Sequence, residues 1–445
     1  MEKFFYSPVY LFICAAVALY GIYAEKEIIP VFVIIFLGCI NVLTCRDILP
    51  TLAAVIIVPM MTYTRYADYE YYFRAFLLFA LLIPCYLVHL TVFRPKLKPS
   101  RFVFTTALVA VAVTLGGLFV ATKEELLNFA AIYHIFALGI GMLVIQLGGE
   151  AGIPSGKKET ADFFARLMTT AGIVGVGMII IYYYRNYALI ETRFNYFMSQ
   201  LYWGNDLSTT LLLTMPFTFY LAAKKNIVLS PLYTILGLLQ GAALLLSLSR
   251  GGILFGSVLT VLCIAAAIGA GKGKRIFIAA TVAAAGVLAY FAIDKYLLPI
   301  IREMAPNLKA NSDETRVHLY RLAWDVFKEY PIFGRGLGHN PEQYFTPNEK
   351  GIYWYHSTLF QILASLGIVG LIAYAAQAMV RLYTLFSVKN KFNLFTLLSM
   401  LGFAAYSMVN VGYFMPFPFV VIVTIMFIVT LRSNQNHTAM KIPKR

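Results

Sequence analysis

Charge is what this sequence has least of: 13% of its residues are Asp, Glu, Lys or Arg, against 60% hydrophobic. That excludes a solvated or disordered chain, which needs many charges and few apolar residues. Acid is scarcer than base, with 21 Asp and Glu against 36 Lys and Arg. No Asp-x-Asp pair occurs, and the nearest approach to one, Asp68-Tyr69-Glu70, stands isolated. Five cysteines, at 14, 39, 45, 85 and 263, have no paired spacing and fall within or beside apolar runs, so neither a disulfide framework nor a cysteine metal site is expected. Apart from one stretch of about sixty residues, nothing polar is long enough to fold as a soluble unit.

What fills the chain is apolar sequence in repeated blocks of 16 to 23 residues. A backbone in lipid must satisfy its own hydrogen bonds, so such blocks are helices and the chain is an all-α, polytopic membrane protein. Fourteen spans are expected: Pro8–Tyr23, Glu27–Cys45, Ile48–Tyr63, Ala75–Phe93, Phe102–Ala121, Leu126–Gly148, Leu167–Tyr184, Leu207–Ala222, Ile227–Ser249, Gly251–Ala270, Ile276–Ile293, His356–Ala375, Asn393–Val411 and Pro416–Leu431. Eleven lie in 1–293 and three in 356–431, separated by a loop over 294–355 and followed by a tail over 432–445. The first span carries Ala16-Val17-Ala18, faintly like a cleavage site, and is read as retained.

Lysine and arginine collect on the cytoplasmic side of short loops. "RPKLKPSR" (94–101), the stretch with Lys157, Lys158 and Arg166, "KK" (224–225), "GKGKR" (271–275), "RLYTLFSVKNK" (381–391) and the tail all fall on one side when the N-terminus is inside. Both termini are therefore expected in the cytoplasm. The net charge of +15 then requires no nucleic acid, because anionic head groups attract those residues.

The same orientation puts the long loop outside. Its aromatic content and a helical pattern over about 312–330 argue against disorder. Asn311 and Glu314 resemble a capping pair, Val317, Tyr320, Trp324 and Phe327 share one stripe, and Pro331 stops the helix. Arg316 lies a turn before Tyr320 on the same side. In "FGRGLGHN", Gly334, Gly336 and Gly338 allow a tight bend or close approach to a ligand. No strand precedes them, so a dinucleotide site is rejected. Three further regions reach the same outer face: the segment with Arg193, Asn205 and Asp206; Arg250 in "LSLSRGGILFG"; and His356 directly after the loop. An arginine between two apolar runs is normally interfacial, paired or part of a site.

These landmarks resemble the O-antigen ligase and polymerase family. "HSTLFQILASLGIVG" (356–370) fits that family's ligase-type pattern through His356, Ser357, Gly367 and Gly370. "SRGG" (249–252), "GNDLSTTLLLTMP" (204–216) and "ETRVHLYRLAWDVFKEYPIFGRGLG" (314–338) resemble its other landmarks, in order. Many relatives carry Asn after the histidine and an acid near the first glycine, where this chain has Ser357 and Ser365. The resemblance implies a transferase that takes a glycan from a polyprenyl pyrophosphate carrier on the outer side of the cytoplasmic membrane, without a cofactor.

A pyrophosphate leaving group gathers negative charge as the sugar C1–oxygen bond breaks, and fixed positive charge stabilises it. With no Asp-x-Asp pair to hold a metal, arginines suit the role, since a guanidinium stays charged and grips phosphate with a planar fork. Arg250 and Arg193 are expected to form the clamp, with Arg316 or Arg321 as a third donor, and His356 is the expected general base. Ser249, Asn205, Asp206, Tyr320 and Trp324 complete the expected substrate contacts, while Trp203, Tyr353, Trp354 and Tyr355 are placed to stack on sugar rings. The partners expected are a lipid-linked glycan donor, a glycan, lipid or protein acceptor, and membrane lipids. Ligase, polymerase and protein glycosylation share this donor chemistry; a transporter is the alternative from another class.

Overall fold

The computed structural model describes residues 1–62, 69–155, 159–192, 201, 203–292, 312–341 and 351–439, and among them it contains no strand. The principal helices are α1 (Pro8–Ala24), α2 (Ile28–Thr44), α3 (Leu52–Thr62), α4 (Tyr69–Ala80), α5 (Leu82–Phe93), α6 (Arg101–Leu115), α7 (Phe129–Gly152), α8 (Thr160–Arg185), α9 (Gly204–Lys224), α10 (Leu229–Leu246), α11 (Arg250–Ala270), α12 (Arg275–Ala292), α13 (Ser312–Glu329), α14 (Thr358–Ser387), α15 (Lys391–Ser407) and α16 (Val421–Ala439). Seven stretches among the described residues are long and apolar enough to cross a membrane: α7, α8, α10, α11, α14, Lys272–Phe291 and Pro416–Asn436. Every one of the fourteen apolar segments is helical over most of its length, but α1, α2, Leu49–Thr62, Leu77–Phe93 and α6 are shorter apolar helices.

The centre of the bundle is α9, packed against α8, α10, α11 and α15. It is buried on all sides, yet it carries Ser208, Thr209, Thr210, Thr214 and Thr218. Their hydroxyls are satisfied locally: Thr209 and Thr210 donate to the carbonyls of Asn205 and Asp206 at 2.8 and 3.0 Å, and Gln240 from α10 bonds Thr218 at 2.8 Å. A buried hydroxyl costs little once bonded, so a threonine-rich helix can sit at the core.

One basic residue is buried inside a helix where the loop-by-loop reading has it in a connecting segment. Arg381, assigned from sequence to a cytoplasmic segment, lies within α14 and is only 4% exposed. Its guanidinium lies over the Phe427 ring, 5.4 Å from the centroid, with Tyr413 and Tyr374 beside it. An arginine can be buried this way because its flat face stacks on aromatics while its edge bonds hydroxyls.

Candidate active site

Three helices begin at one place. Ser249 is the N-cap of α11, accepting from the Gly252 amide at 3.2 Å. Asn205 is the second residue of α9, and Thr358 opens α14. Ser249 Oγ donates to Asn205 Oδ1 at 2.8 Å, Tyr406 OH reaches the same oxygen at 2.9 Å, and the two hydroxyls lie 2.9 Å apart. Tyr406 also bonds the side chain of Asn410, whose carbonyl accepts from the Thr358 amide at 3.0 Å. One turn at the end of α15 thus ties together the N-termini of α9, α11 and α14.

A helix N-terminus carries about half a positive charge and presents unsatisfied amides, so this convergence favours an anion. Arg250 is the first residue of α11, not a cap on the C-terminus of α10, which ends at Leu246. A cation there opposes the dipole, at a cost of roughly 0.3–1 kcal/mol. The two glycines that follow have a packing reason. A β-carbon on Gly251 would come 2.6 Å from the Tyr406 ring, and one on Gly252 would come 2.3 Å from Ser208 Oγ.

The third cation comes from α13. Arg316 is half-buried and lies within electrostatic range of His356, Tyr320 and Tyr406. Tyr320 stacks on Phe360 of α14 at 4.7 Å and donates to the His356 carbonyl at 3.4 Å. Arg321 is exposed on the same helix. Asp206 lies in the first turn of α9, within electrostatic range of Tyr406.

His356 precedes α14 with φ of 50°, a left-handed conformation that costs a non-glycine residue about 1–2 kcal/mol. The surroundings impose it. Gln361 accepts from the Tyr355 amide at 3.0 Å and donates to the Tyr353 carbonyl at 3.3 Å, pinning one side, and the Thr358–Asn410 bond pins the other. His356 is exposed, and the protein around it together with Arg316 holds its pKa below the ordinary histidine value. A pKa lowered in this way favours the neutral imidazole, the form that can accept a proton.

"FGRGLG" makes its close approach to the protein's own backbone rather than to a ligand. Helix α14 is broken at Gly367, with φ of 62°, and residues 331–336 fill the break. The Ile368 and Val369 amides donate to the Pro331 and Ile332 carbonyls at 2.9 and 3.2 Å, while Arg335 and Gly336 donate to Ala364 and Ser365 at 2.8 and 3.0 Å. Here Gly367 and Gly334 are required by both space and φ: a β-carbon would lie 2.5 Å from the Ile332 carbonyl oxygen or 2.4 Å from the Ser365 carbonyl carbon. The far side of the turn is locked to the short segment before α7. His339 Nδ1 lies 2.7 Å from Glu125, Arg335 pairs with Glu125 at 3.3 Å, and the Gly117 amide donates to Phe333 at 3.0 Å. Burial alone would raise the Glu125 pKa, but the Thr122 amide, His339 and Arg335 outweigh it and hold the carboxylate low.

Several expected contacts need correction. Tyr355, Tyr353 and Trp203 are 2%, 7% and 2% exposed, so their rings are packing groups and offer no face to a sugar. Tyr353 and Tyr355 sit under α13, and Trp203 packs edge-on to Tyr182 at 5.3 Å. Trp354 is half-buried against His134 at 5.4 Å. The buried face of α13 is Leu319, Ala323 and Val326, whereas Val317 and Trp324 are each 47% exposed. Arg193 and Asn311 lie outside the described residues. Sequence reasoning missed Tyr406, Asn410, Gln361 and Glu125.

Residues 235–375 match the family model described as O-antigen ligase. The match begins inside α10 and takes in Arg250, α13, His356 and the break at Gly367; α9 and Tyr406 lie beyond it. Over this segment the all-helical chain is similar to that family. No curated protein and no solved structure matches the chain.

Proposed function

We propose that the protein is an inverting, metal-independent glycosyltransferase that moves an oligo- or polysaccharide from a polyprenyl (undecaprenyl) pyrophosphate to an acceptor hydroxyl. The reading places the reaction on the outer face of a bacterial cytoplasmic membrane crossed fourteen times, with both termini inside. The observation that carries it is the meeting of three helix N-termini, one of them opened by Arg250, with Arg316 near His356. Such a place can hold a pyrophosphate and, next to it, a base.

In this mechanism Arg250, with Arg193 and Arg316, holds the phosphates, and Arg321 from the exposed face of α13 meets the glycan. The acceptor oxygen attacks C1 from the side opposite the lipid. His356 takes the hydroxyl proton, the C1–oxygen bond to phosphate breaks, and its electron pair leaves on the pyrophosphate, where the guanidinium groups and helix ends stabilise it. Ser249, Asn205 and Asp206 hold the Arg250 segment, and Tyr320, Trp324 and Trp354 line the approach for sugar.

The test is transfer by the purified protein in liposomes from a polyprenyl-pyrophosphate oligosaccharide, offered a lipid-linked repeat unit, a lipid core and envelope proteins as acceptors. His356→Ala is expected to lose about 10²- to 10⁴-fold in rate while keeping donor binding. Arg250→Lys is expected to fail despite keeping charge, because a point charge lacks the fork. A chelator should change nothing. Full activity in either variant removes that residue from the mechanism, and passage of the donor across the bilayer without transfer replaces the enzyme with a transporter.

A further inference from the structure

At the opposite end of the bundle from His356, the end that charge placement assigns to the cytoplasm, a groove of about 440 Å³ opens between the last turn of α14 and the first turns of α15. Its walls are apolar, with Leu385, Phe386, Leu394 and Leu397, and its rim carries Lys389 and Lys391. Phe386 is 66% and Leu394 39% exposed, so the apolar side faces outward from the protein.

Lysines crowd this rim. Lys391 Nζ donates to the Ala223 carbonyl at 3.2 Å and Lys274 Nζ to the Lys224 carbonyl at 2.9 Å, which draws both ammonium groups to the same helix end. Burial and the nearby Lys274, Lys272 and Lys224 hold Lys391 below the usual lysine range. Asp162 neutralises Lys224 at 2.6 Å and approaches Lys225 at 3.9 Å. Among the described residues no carboxylate pairs with Lys272, Lys274, Lys389 or Lys391. Capping a helix C-terminus uses one of three donors on each ammonium, leaving the others for a ligand.

Within the groove, Asn393 is 3% exposed and its amide nitrogen is spent on the Leu385 and Val388 carbonyls at 3.0 and 2.8 Å. Its Oδ1 is buried with no partner. A buried acceptor left unmade costs roughly 1–3 kcal/mol, so a donor supplied by a ligand is favoured there.

We infer that this groove binds an anionic glycerophospholipid of the surrounding bilayer: acyl chains along Leu385, Phe386, Leu394 and Leu397, phosphate among Lys272, Lys274, Lys389 and Lys391, and a head-group hydroxyl donated to Asn393. The occupant is a membrane lipid and not a soluble phosphate, because the walls are apolar and open outward.

The full-length protein is examined by native mass spectrometry and by melting in mixed micelles, with phosphatidylglycerol, phosphatidylcholine or inorganic phosphate added. Phosphatidylglycerol is expected to be retained one per chain and to raise the melting temperature, with phosphatidylcholine far weaker. Lys272→Gln with Lys389→Gln leaves the bonds to Ala223 and Lys224 intact and should weaken phosphatidylglycerol retention about 30-fold, from about 1 kcal/mol per lysine near an anionic head group. Lys96→Gln with Lys98→Gln, at another basic loop of the same side, should change nothing. Equal retention of both lipids, an equal loss in the two double variants, or an equal stabilisation by inorganic phosphate would each overturn the assignment.

Discussion

Replacing Tyr406 by Phe tests the convergence directly. Its hydroxyl lies 2.9 Å from both Ser249 Oγ and Asn205 Oδ1, and Ser249 Oγ lies 2.8 Å from Asn205 Oδ1. Three contacts are thus served by two hydroxyl hydrogens. Removing the Tyr406 oxygen leaves Ser249 bonded to Asn205 and to the Gly252 amide, and takes one partner from the side chain of the half-buried Asn410. The loss is then that of one or two neutral hydrogen bonds, about 1–2 kcal/mol. If that energy holds the Arg250 and Asn205 segments in register, the same amount is lost at the transition state, or about 5- to 30-fold in kcat/KM. The assay is initial-rate transfer in liposomes at varied donor, with melting measured alongside. Ser399→Ala is the control: it lies on the same helix two turns away, loses its 2.8 Å bond to the Leu213 carbonyl, and should cost comparable stability at unchanged kcat/KM. The reasoning is refuted if Tyr406→Phe transfers within twofold of the wild type, or if Ser399→Ala loses as much activity.

The remaining predictions follow from the same geometry. Because its surroundings and Arg316 hold the His356 pKa low, the acid limb of kcat/KM should lie below pH 6.5, activity falling as pH drops through the lowered value; Arg316→Ala should move that limb upward, and a limb that stays put would detach Arg316 from His356. Gly367→Ala places a β-carbon 2.5 Å from the Ile332 carbonyl oxygen at positive φ, and should destabilise by at least about 2 kcal/mol, read as a lower melting temperature. Glu125 has a folded pKa below its ordinary 4.5, so its contribution is complete above that pH and is lost as pH falls through the lowered value; Glu125→Gln should melt earlier at pH 7 and show a flatter acid profile between pH 5 and 3.

The order of helices was legible because lipid imposes one backbone solution on every apolar block, and the block boundaries follow from where charge reappears. Where that reasoning stopped, a second force was acting. In α13 two apolar stripes compete: Val317, Tyr320, Trp324 and Phe327 carry more area, but Leu319, Ala323 and Val326 are buried. The smaller stripe wins because Ala323 lets α13 come close to Ala364 and the two packed tyrosines beneath it, and the identity of that partner surface is absent from helical periodicity. The burial of Arg381 escaped the sequence for a related reason. The positive-inside pattern assigns a charge to the nearest loop, and only the positions of Phe427 and Tyr413 show that α14 continues past it with the guanidinium folded inward.

The site divides along the same line. His356 and Arg250 stand out in the sequence because each breaks an apolar run, and a charge or imidazole at a membrane edge needs a reason. Tyr406 breaks nothing: among 30 tyrosines it reads as part of an aromatic belt. Its role comes from its position where α9, α11 and α14 begin together, and helix ends meet through long-range topology that no local pattern encodes. The glycines carry the opposite lesson. Gly251, Gly252, Gly334 and Gly367 were visible as a pattern, and what they admit proved to be a tyrosine ring, a serine hydroxyl and a crossing backbone. Gly251 and Gly252 bring the start of α11 against Tyr406 and Ser208, while Gly334 and Gly367 let the turn after α13 cross the break in α14. In the proposed mechanism a larger residue at Gly251 or Gly252 should therefore lower transfer by displacing the start of α11 from Tyr406 and Ser208, whereas one at Gly334 or Gly367 should act first on stability.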